Sequence, residues 1–332
     1  MPAGRLAETW PLTYEDVPFG QEYSKGMNEC YKESLFVGYR YYLSAGKTVR
    51  YPFGYGLTYT NFAWSDMEVS EEESEFIIRC SVTNTGERSG AEVVQLYTSG
   101  PKTRVFKPAR ELRAFEKVYL APGETKRVML HLQRDELRVW HAREHRWAME
   151  EGKYRLELCS DCETVRLVKE IHMDGETLSA VYSERLKAAY SPLVPEVVTD
   201  GLFEELLGSP IPELPPRFPI TLESRFVDMK QTFMGRILYN AVLSVARRQR
   251  KQAEKMPEGP EKDNRLKGAL FLTRIFESNS LISMSMSAGG SMPYNFAQGF
   301  VELANLRLIR GIRCFLKPVK VPPLPKEQEK KK

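Results

Sequence analysis

Cysteine is scarce in this sequence of 332 residues: Cys30, Cys80, Cys159, Cys162 and Cys314 are scattered and odd in number. Such a set does not make a disulfide framework. Cys159-Ser-Asp-Cys162 is a lone C-x-x-C. A zinc site needs four ligands, and neither a second pair nor a helical His-x-x-x-His completes this one. Because it lies between two strand-like runs, it reads as a tight turn. Long apolar runs are also missing, none approaching the ~18 residues that span a bilayer. The opening residues, Met1 to Trp10, hold no apolar signal core. A reducing, cytoplasmic setting without a membrane partner is the expectation. Charge of one sign does not dominate either, the net value being +4. Arg247, Arg248, Arg250 and Lys251 cluster, as do Lys330 to Lys332, but Glu254, Glu258 and Glu261 lie near the first group. With no interleaved aromatics, that group reads as a solvated helix end rather than a nucleic-acid surface.

Catalytic constellations are absent too. Paired-carboxylate chemistry needs two acids facing each other about 5 to 10 Å apart. Glu8, Glu15, Asp16, Glu22 and Asp66 are the candidates; none lies in a setting that sequence marks as buried, and most sit among polar neighbours, which reads as exposed surface. There is no Gly-x-Ser-x-Gly elbow. His131, His141, His145 and His172 all fall in or beside strand-like runs and are expected at surface or edge positions. Ser287-Ala-Gly-Gly-Ser291 lacks the Lys-Ser/Thr of a phosphate cradle, so it reads as a turn before a helix. Met284, Met286 and Met292 suit adaptable packing rather than a metal site. The sequence thus offers no catalytic residue, no cofactor-binding residue and no metal ligands.

What is present is a globular composition, 42% hydrophobic and 11% aromatic, organised in zones. Residues 1–60 are rich in Tyr, Gly and Pro. Tyr39-Arg-Tyr-Tyr42 and Tyr51 to Tyr59 look like extended segments and turns whose rings need a partner surface. Residues 61–173 change to short alternating runs. Phe62–Val69, Phe76–Val82, Glu92–Tyr97, Leu112–Leu120, Arg127–Leu132, Tyr154–Leu158 and Val165–Ile171 read as strands. Asn84-Thr-Gly86 and Ala121-Pro-Gly-Glu124 supply turns. Seven such strands predict an immunoglobulin-like β-sandwich, with Trp147 and Tyr154 capping one end of its core.

Residues 174–222 are expected as a proline-rich extended strap and 223–316 as an α-helical extension, with 317–332 a disordered tail. Helical periodicity runs through Phe226, Met229, Phe233, Ile237 and Val245 until Met256-Pro-Glu-Gly-Pro260 breaks it. Leu266–Phe276 predicts a second helix, and Pro293–Phe315 a third capped by Ser291. No fixed-period repeat is visible.

Several motifs resemble a known family. Pro2-Ala-Gly-Arg-Leu-Ala-Glu-Thr-Trp-Pro11, Leu35-Phe-Val-Gly-Tyr-Arg-Tyr-Tyr42 and Tyr51-Pro-Phe-Gly-Tyr-Gly-Leu-Thr-Tyr-Thr60 resemble, in order and spacing, segments of family 3 glycoside hydrolases. Val82-Thr-Asn-Thr-Gly86, Gly90 to Tyr97, Pro108 to Phe115 and Leu120 to Glu124 resemble the fibronectin type III-like domain of those enzymes. The resemblance covers residues 1 to about 173; the helical part is only loosely similar to an extension on some bacterial members. It implies that residues 1–60 are the remnant of an α/β sandwich domain. It also implies that the nucleophile Asp, on a barrel, and the acid/base Glu, earlier in the α/β domain, lie outside this sequence. Met1 stands where the family has Asn inside that domain, so a gene fragment or a split enzyme is expected.

Two functions follow as expectations. One is a non-catalytic C-terminal portion of a β-glucosidase-like enzyme, inactive alone, with the missing barrel and α/β domain as partners in the same or a separate chain. The alternative is a carbohydrate- or partner-binding module, with an oligosaccharide stacked on Trp10, Trp64, Trp140 or Trp147. Trp140 and Trp147 read as core positions rather than platforms.

Overall fold

The computed structural model describes residues 2–22, 29–101, 105–213, 218–287 and 293–317. They fall into two compact units, Met1–Pro212 and Glu213–Lys332.

In the first unit, strands β1 (Trp10–Pro11) and β2 (Val49–Tyr51) pair antiparallel on either side of a short helix, α1 (Tyr39–Ser44). That helix corrects the expectation of extended chain at 39–42. Gly38 turns into it at φ 57°, and Tyr41 and Tyr42 are buried. The seven expected strands follow, each somewhat longer than its pattern. They are β3 (Phe62–Glu71), β4 (Glu75–Asn84), β5 (Gly90–Ser99), β6 (Glu111–Leu120) and β7 (Thr125–Gln133). A small hairpin, β8 (Val139–His141) and β9 (Arg146–Ala148), intervenes before β10 (Gly152–Cys159) and β11 (Val165–Met173).

These strands form an antiparallel sheet of order β11-β10-β5-β6 and another of order β3-β4-β7. The two share one core. Phe76, Ile78, Cys80 and Val82 of β4 alternate inward with Val128, Leu130 and Leu132 of β7, and meet Val94, Leu96, Tyr154, Leu156 and Leu158 from the other sheet. The period of two places each set on one face. In β3 the pairing shifts between Ser65 and Glu68, where Asp66 bulges out at φ 54°, a left-handed conformation that Asp tolerates.

Asn84 pins the turns at one end. Its side-chain amide donates to Arg88 O (2.8 Å) and Leu120 O (3.1 Å), and its Oδ1 accepts from Gly86 N (3.1 Å) and the Thr60 hydroxyl. With no exposed surface of its own, Asn84 satisfies backbone groups that would otherwise be orphaned.

The stretch expected as an extended strap contains helical turns instead. α2 (Glu184–Tyr190) is capped by Ser183, and α3 (Asp200–Leu207) by Thr199. Their apolar faces form a second core with Phe36, Tyr41, Tyr42 and Phe106, which explains why they are helical despite the prolines around them.

The second unit is helical. α4 (Phe233–Glu254) is capped by the Thr232 hydroxyl, which accepts from Gly235 N at 3.1 Å. α5 (Pro260–Ser278), α6 (Leu281–Ser287), α7 (Tyr294–Ala304) and α8 (Leu308–Leu316) follow. Phe226 is the hub, its ring 5.4 Å from Tyr239, 5.9 Å from Phe276 and 6.3 Å from Phe300. The single helix expected over 293–315 is two, broken where Leu306 adopts φ 64°. α7 and α8 cross closely. A Cβ on Gly299 would lie 2.8 Å from the Phe315 ring, and one on Gly311 2.6 Å from Leu303. Asn295 of α7 donates to Cys314 O and Lys317 O, closing the C-terminus of α8. Met284 is buried in this core and Met286 is exposed. Met292, the cap at Ser291, most of the Ser287–Ser291 turn and the tail beyond Lys317 lie outside the described residues.

Candidate functional site

The most distinctive surface lies on the sheet face opposite the core. β5 is buried along nearly its whole length on both sides, although the sequence alternates Glu, Val, Gln and Tyr as a half-exposed strand would. The cover is the segment 2–60 together with the 159–162 turn. Gln95 donates through Nε2 to Gly54 O (3.3 Å) and Ser160 O (2.8 Å), and its Oε1 accepts from the Tyr97 hydroxyl (2.8 Å). Phe53 O accepts from Cys162 N (2.9 Å), and the Tyr39 hydroxyl accepts from Leu112 N (2.9 Å). Tyr39 stacks on Phe53 at 4.8 Å and meets Tyr97 edge-on at 5.9 Å. Gly54 sits at φ +83° with its backbone against the Gln95 amide; a Cβ there would lie 2.3 Å from Oε1. Only glycine combines that dihedral with that approach.

Cys159-Ser-Asp-Cys162 is a turn, as expected. Asp161 Oδ1 accepts from Glu163 N (3.0 Å) and Thr164 N (2.8 Å). Both thiols are buried against Tyr97, and burial pushes each up to about 12. Desolvation raises the Tyr97 hydroxyl strongly as well. Inert, protonated groups of this kind are structural. Among the described residues no cluster of His, Cys, Asp and Glu is arranged to hold a metal.

The acids that sequence singled out are not brought together. Glu8 accepts from Trp10 Nε1 (2.9 Å), Asp16 caps its own turn through Thr13 N (2.9 Å), Glu22 pairs with Lys32 (2.7 Å), and Glu15 is exposed. Asp66 is held below the usual carboxylate range by hydrogen bonds from Ser65 and Ser81. The buried acids are others, invisible in the pattern. Glu92 pairs with Arg5, Glu150 with Lys107, and Glu157 with Arg110 (3.2 Å) and Arg155 (2.9 Å). Arg110, Arg155, Lys107 and Glu157 line a cleft of about 430 Å³ beside Ser44. Among the described residues Glu157 is the one carboxylate on its walls, and they place no facing pair there of the kind glycoside hydrolysis requires.

Two expectations about aromatic and imidazole rings are corrected. His141 is fully buried rather than at the surface, because the hairpin folds it under the following segment. Its Nε2–H donates to the Ser179 hydroxyl (3.0 Å) and its Nδ1 accepts from Glu144 N (3.2 Å). His131, His145 and His172 are exposed, as expected. Trp140 and Trp147 are not core positions. They face each other across β8 and β9, 43% and 61% exposed, with rings 5.5 Å apart. Tyr154 alone joins the core. Trp64 packs against that core, whereas Trp10 is exposed and meets Tyr51 edge-on at 6.0 Å.

Residues 92–162 match the family profile of the fibronectin type III-like domain. A beta-glucosidase of Kluyveromyces marxianus is 36% identical over 184 residues, 53% of this chain and 21% of that protein. Thermostable beta-glucosidase B of Acetivibrio thermocellus is 30% identical over 228 residues, 67% of this chain and 30% of that protein. The chain therefore spans less than a third of these relatives. The solved GH3 beta-glucosidase of Bifidobacterium adolescentis superposes with a TM-score of 0.50 at 32% identity, covering 57% of this chain and 29% of that one. In sequence and fold this chain is similar to a C-terminal region of beta-glucosidases, a GH3 member among them, and it carries a fibronectin type III-like domain.

Proposed function

We propose that this chain is the non-catalytic portion of a β-glucosidase-like enzyme and braces the domains that carry the nucleophile and the acid. In this reading, residues 61–173 are an immunoglobulin/fibronectin III-like β-sandwich. Residues 1–60 are the last part of the α/β sandwich domain, and residues 223–316 are a helical extension. The carrying observation is the two-sided burial of β5: the segment 2–60 is locked onto the sheet through Gln95, Tyr97 and Cys162. The same segment leaves Trp10, Leu12, Tyr14, Leu57 and Tyr59 exposed, by 46 to 65%. Exposed apolar side chains in the two stretches 10–14 and 57–59 suit an interface, and a barrel followed by the rest of the α/β domain is the partner that fits. Co-expression with a chain bearing those domains tests this. The two chains are expected to elute together on gel filtration; two separate peaks would count against it.

A second reading, binding of an oligosaccharide, is favoured by the exposed Trp140–Trp147 pair, since indole faces suit the apolar faces of pyranose rings. Titration with cello- or xylo-oligosaccharides is then expected to shift tryptophan fluorescence in the native chain but not in Trp147→Ala. An unchanged spectrum leaves the bracing role as the reading.

A further inference from the structure

The two units differ in charge. Residues 213–332 carry 22 Lys and Arg against 11 Asp and Glu, a net +11, whereas residues 1–212 carry 26 against 33, a net −7. Some of the helical unit's cations are paired locally. Arg250 pairs with Glu254, Lys262 with Glu258 and Arg265 with Glu261, each one turn away, which is how a solvated helix face behaves. α8 is different.

Gly311 and Phe315 press α8 onto α7. At about 100° per residue, the rest of the helix divides into two adjoining rows. Ile309, Ile312 and Leu316 form one, exposed by 70%, 56% and 78%, with Leu308 beside it and Leu306 just before it. Arg310, Arg313 and Lys317 form the other, and no carboxylate among the described residues pairs with them. Scattered apolar residues on a surface need no explanation, but five within eleven residues do.

We propose that α8 docks the helical unit on an anionic lipid surface, its aliphatic row entering the acyl boundary and its basic row meeting headgroup phosphates. A protein groove accounts for the aliphatic row and leaves the cations unused. A nucleic acid accounts for the cations and leaves the isoleucines in water. An anionic bilayer takes both, because Arg and Lys stems lie along apolar surface while their heads stay at the interface. No helix of the described residues is long and apolar enough to cross a membrane, so the attachment is peripheral. It replaces the absence of a membrane partner expected from sequence, where neither the exposure of 309, 312 and 316 nor the missing carboxylates could be read.

The test is sedimentation of the full chain with extruded vesicles of phosphatidylglycerol and phosphatidylcholine, against phosphatidylcholine alone, at about 0.1 M salt. The chain is expected to pellet with the anionic vesicles and to be released as salt rises. Arg310→Gln/Arg313→Gln is expected to bind roughly 30-fold more weakly, and Ile309→Glu/Ile312→Glu to stay in the supernatant. Both variants should keep the native melting temperature, because the altered side chains are exposed. A wild-type chain that remains in the supernatant with anionic vesicles would overturn the proposal. So would variants that pellet like wild type, or a glutamate variant that only turns an oligomer into a smaller species on gel filtration, which would give the face to a second copy.

Discussion

Replacing Gly54 by alanine probes the contact that roofs β5. The position is at φ +83°, and the added methyl would stand 2.3 Å from Gln95 Oε1 and 2.7 Å from Nε2. A left-handed alanine costs about 1–2 kcal/mol. A glutamine amide can often swing away, but this one is held by Gly54 O, Ser160 O and the Tyr97 hydroxyl, on a side chain that is 2% exposed. Moving it leaves the fully buried Tyr97 hydroxyl and Ser160 O without partners, at about 1–3 kcal/mol for such a group. Together these give a loss of about 3 kcal/mol, measured as the shift in urea midpoint at constant m-value.

The mechanism is separable. In a Gln95→Ala background the clash is gone, so Gly54→Ala should cost only the dihedral strain of about 1–2 kcal/mol. The double-mutant cycle should then show a coupling of about 1–2 kcal/mol. A loss below about 0.5 kcal/mol, or strict additivity with Gln95→Ala, would rule out a clash at the Gln95 amide. Limited proteolysis gives an independent reading, because a loosened roof should expose cleavage sites within residues 2–60 before any in the strands.

Three further outcomes are expected. Asn84→Ala should destabilise the first unit by about 2–4 kcal/mol in urea titration, because Arg88 O and Leu120 O lose their donor inside the fold. Stability should fall as pH rises above about 9. Burial raises Cys80 to about 11 and Cys159 and Cys162 to about 12, so the folded state keeps protons that the unfolded chain releases. Each thiol then contributes a slope of about 1.4 kcal/mol per pH unit between the unfolded and folded values. Cys159→Ala/Cys162→Ala should flatten the curve, and an unchanged slope would contradict this assignment. Gly299→Ala should cost about 1–3 kcal/mol in the melting of the helical unit, since its methyl meets the Phe315 ring at 2.8 Å.

The strands were legible because each had one inward face. Phe76, Ile78, Cys80 and Val82 announce β4 by alternation alone, and Asn84-Thr-Gly86 and Ala121–Glu124 announce its turns. β5 shows the limit of that signal. Its polar Glu92, Gln95 and Thr98 imply a wet face, yet all are buried, because the covering comes from residues forty or more positions away. Long-range cover leaves no local period. For the same reason the buried pairs Glu157–Arg110 and Glu150–Lys107 were hidden among ordinary surface acids.

Trp140 and Trp147 failed in the other direction. Large rings on strands suggest a core, but a ten-residue hairpin can pair them with each other instead. α1 was missed because six residues carry too few helical turns to show a period. Family motifs carried the resemblance over the first half of the chain, yet they revealed neither α1 nor the exposed Trp140–Trp147 pair nor the buried ion pairs.

In the proposed role this chain supports catalysis without performing it. The direct measurement is release of nitrophenol from an aryl β-glucoside by the purified chain, alone and mixed with a partner that carries the barrel and the rest of the α/β domain. No turnover above buffer is expected from this chain alone, and mixing is expected to raise the activity or thermal stability of the partner. Turnover by the chain alone, abolished by replacing one of its own carboxylates, would contradict that role.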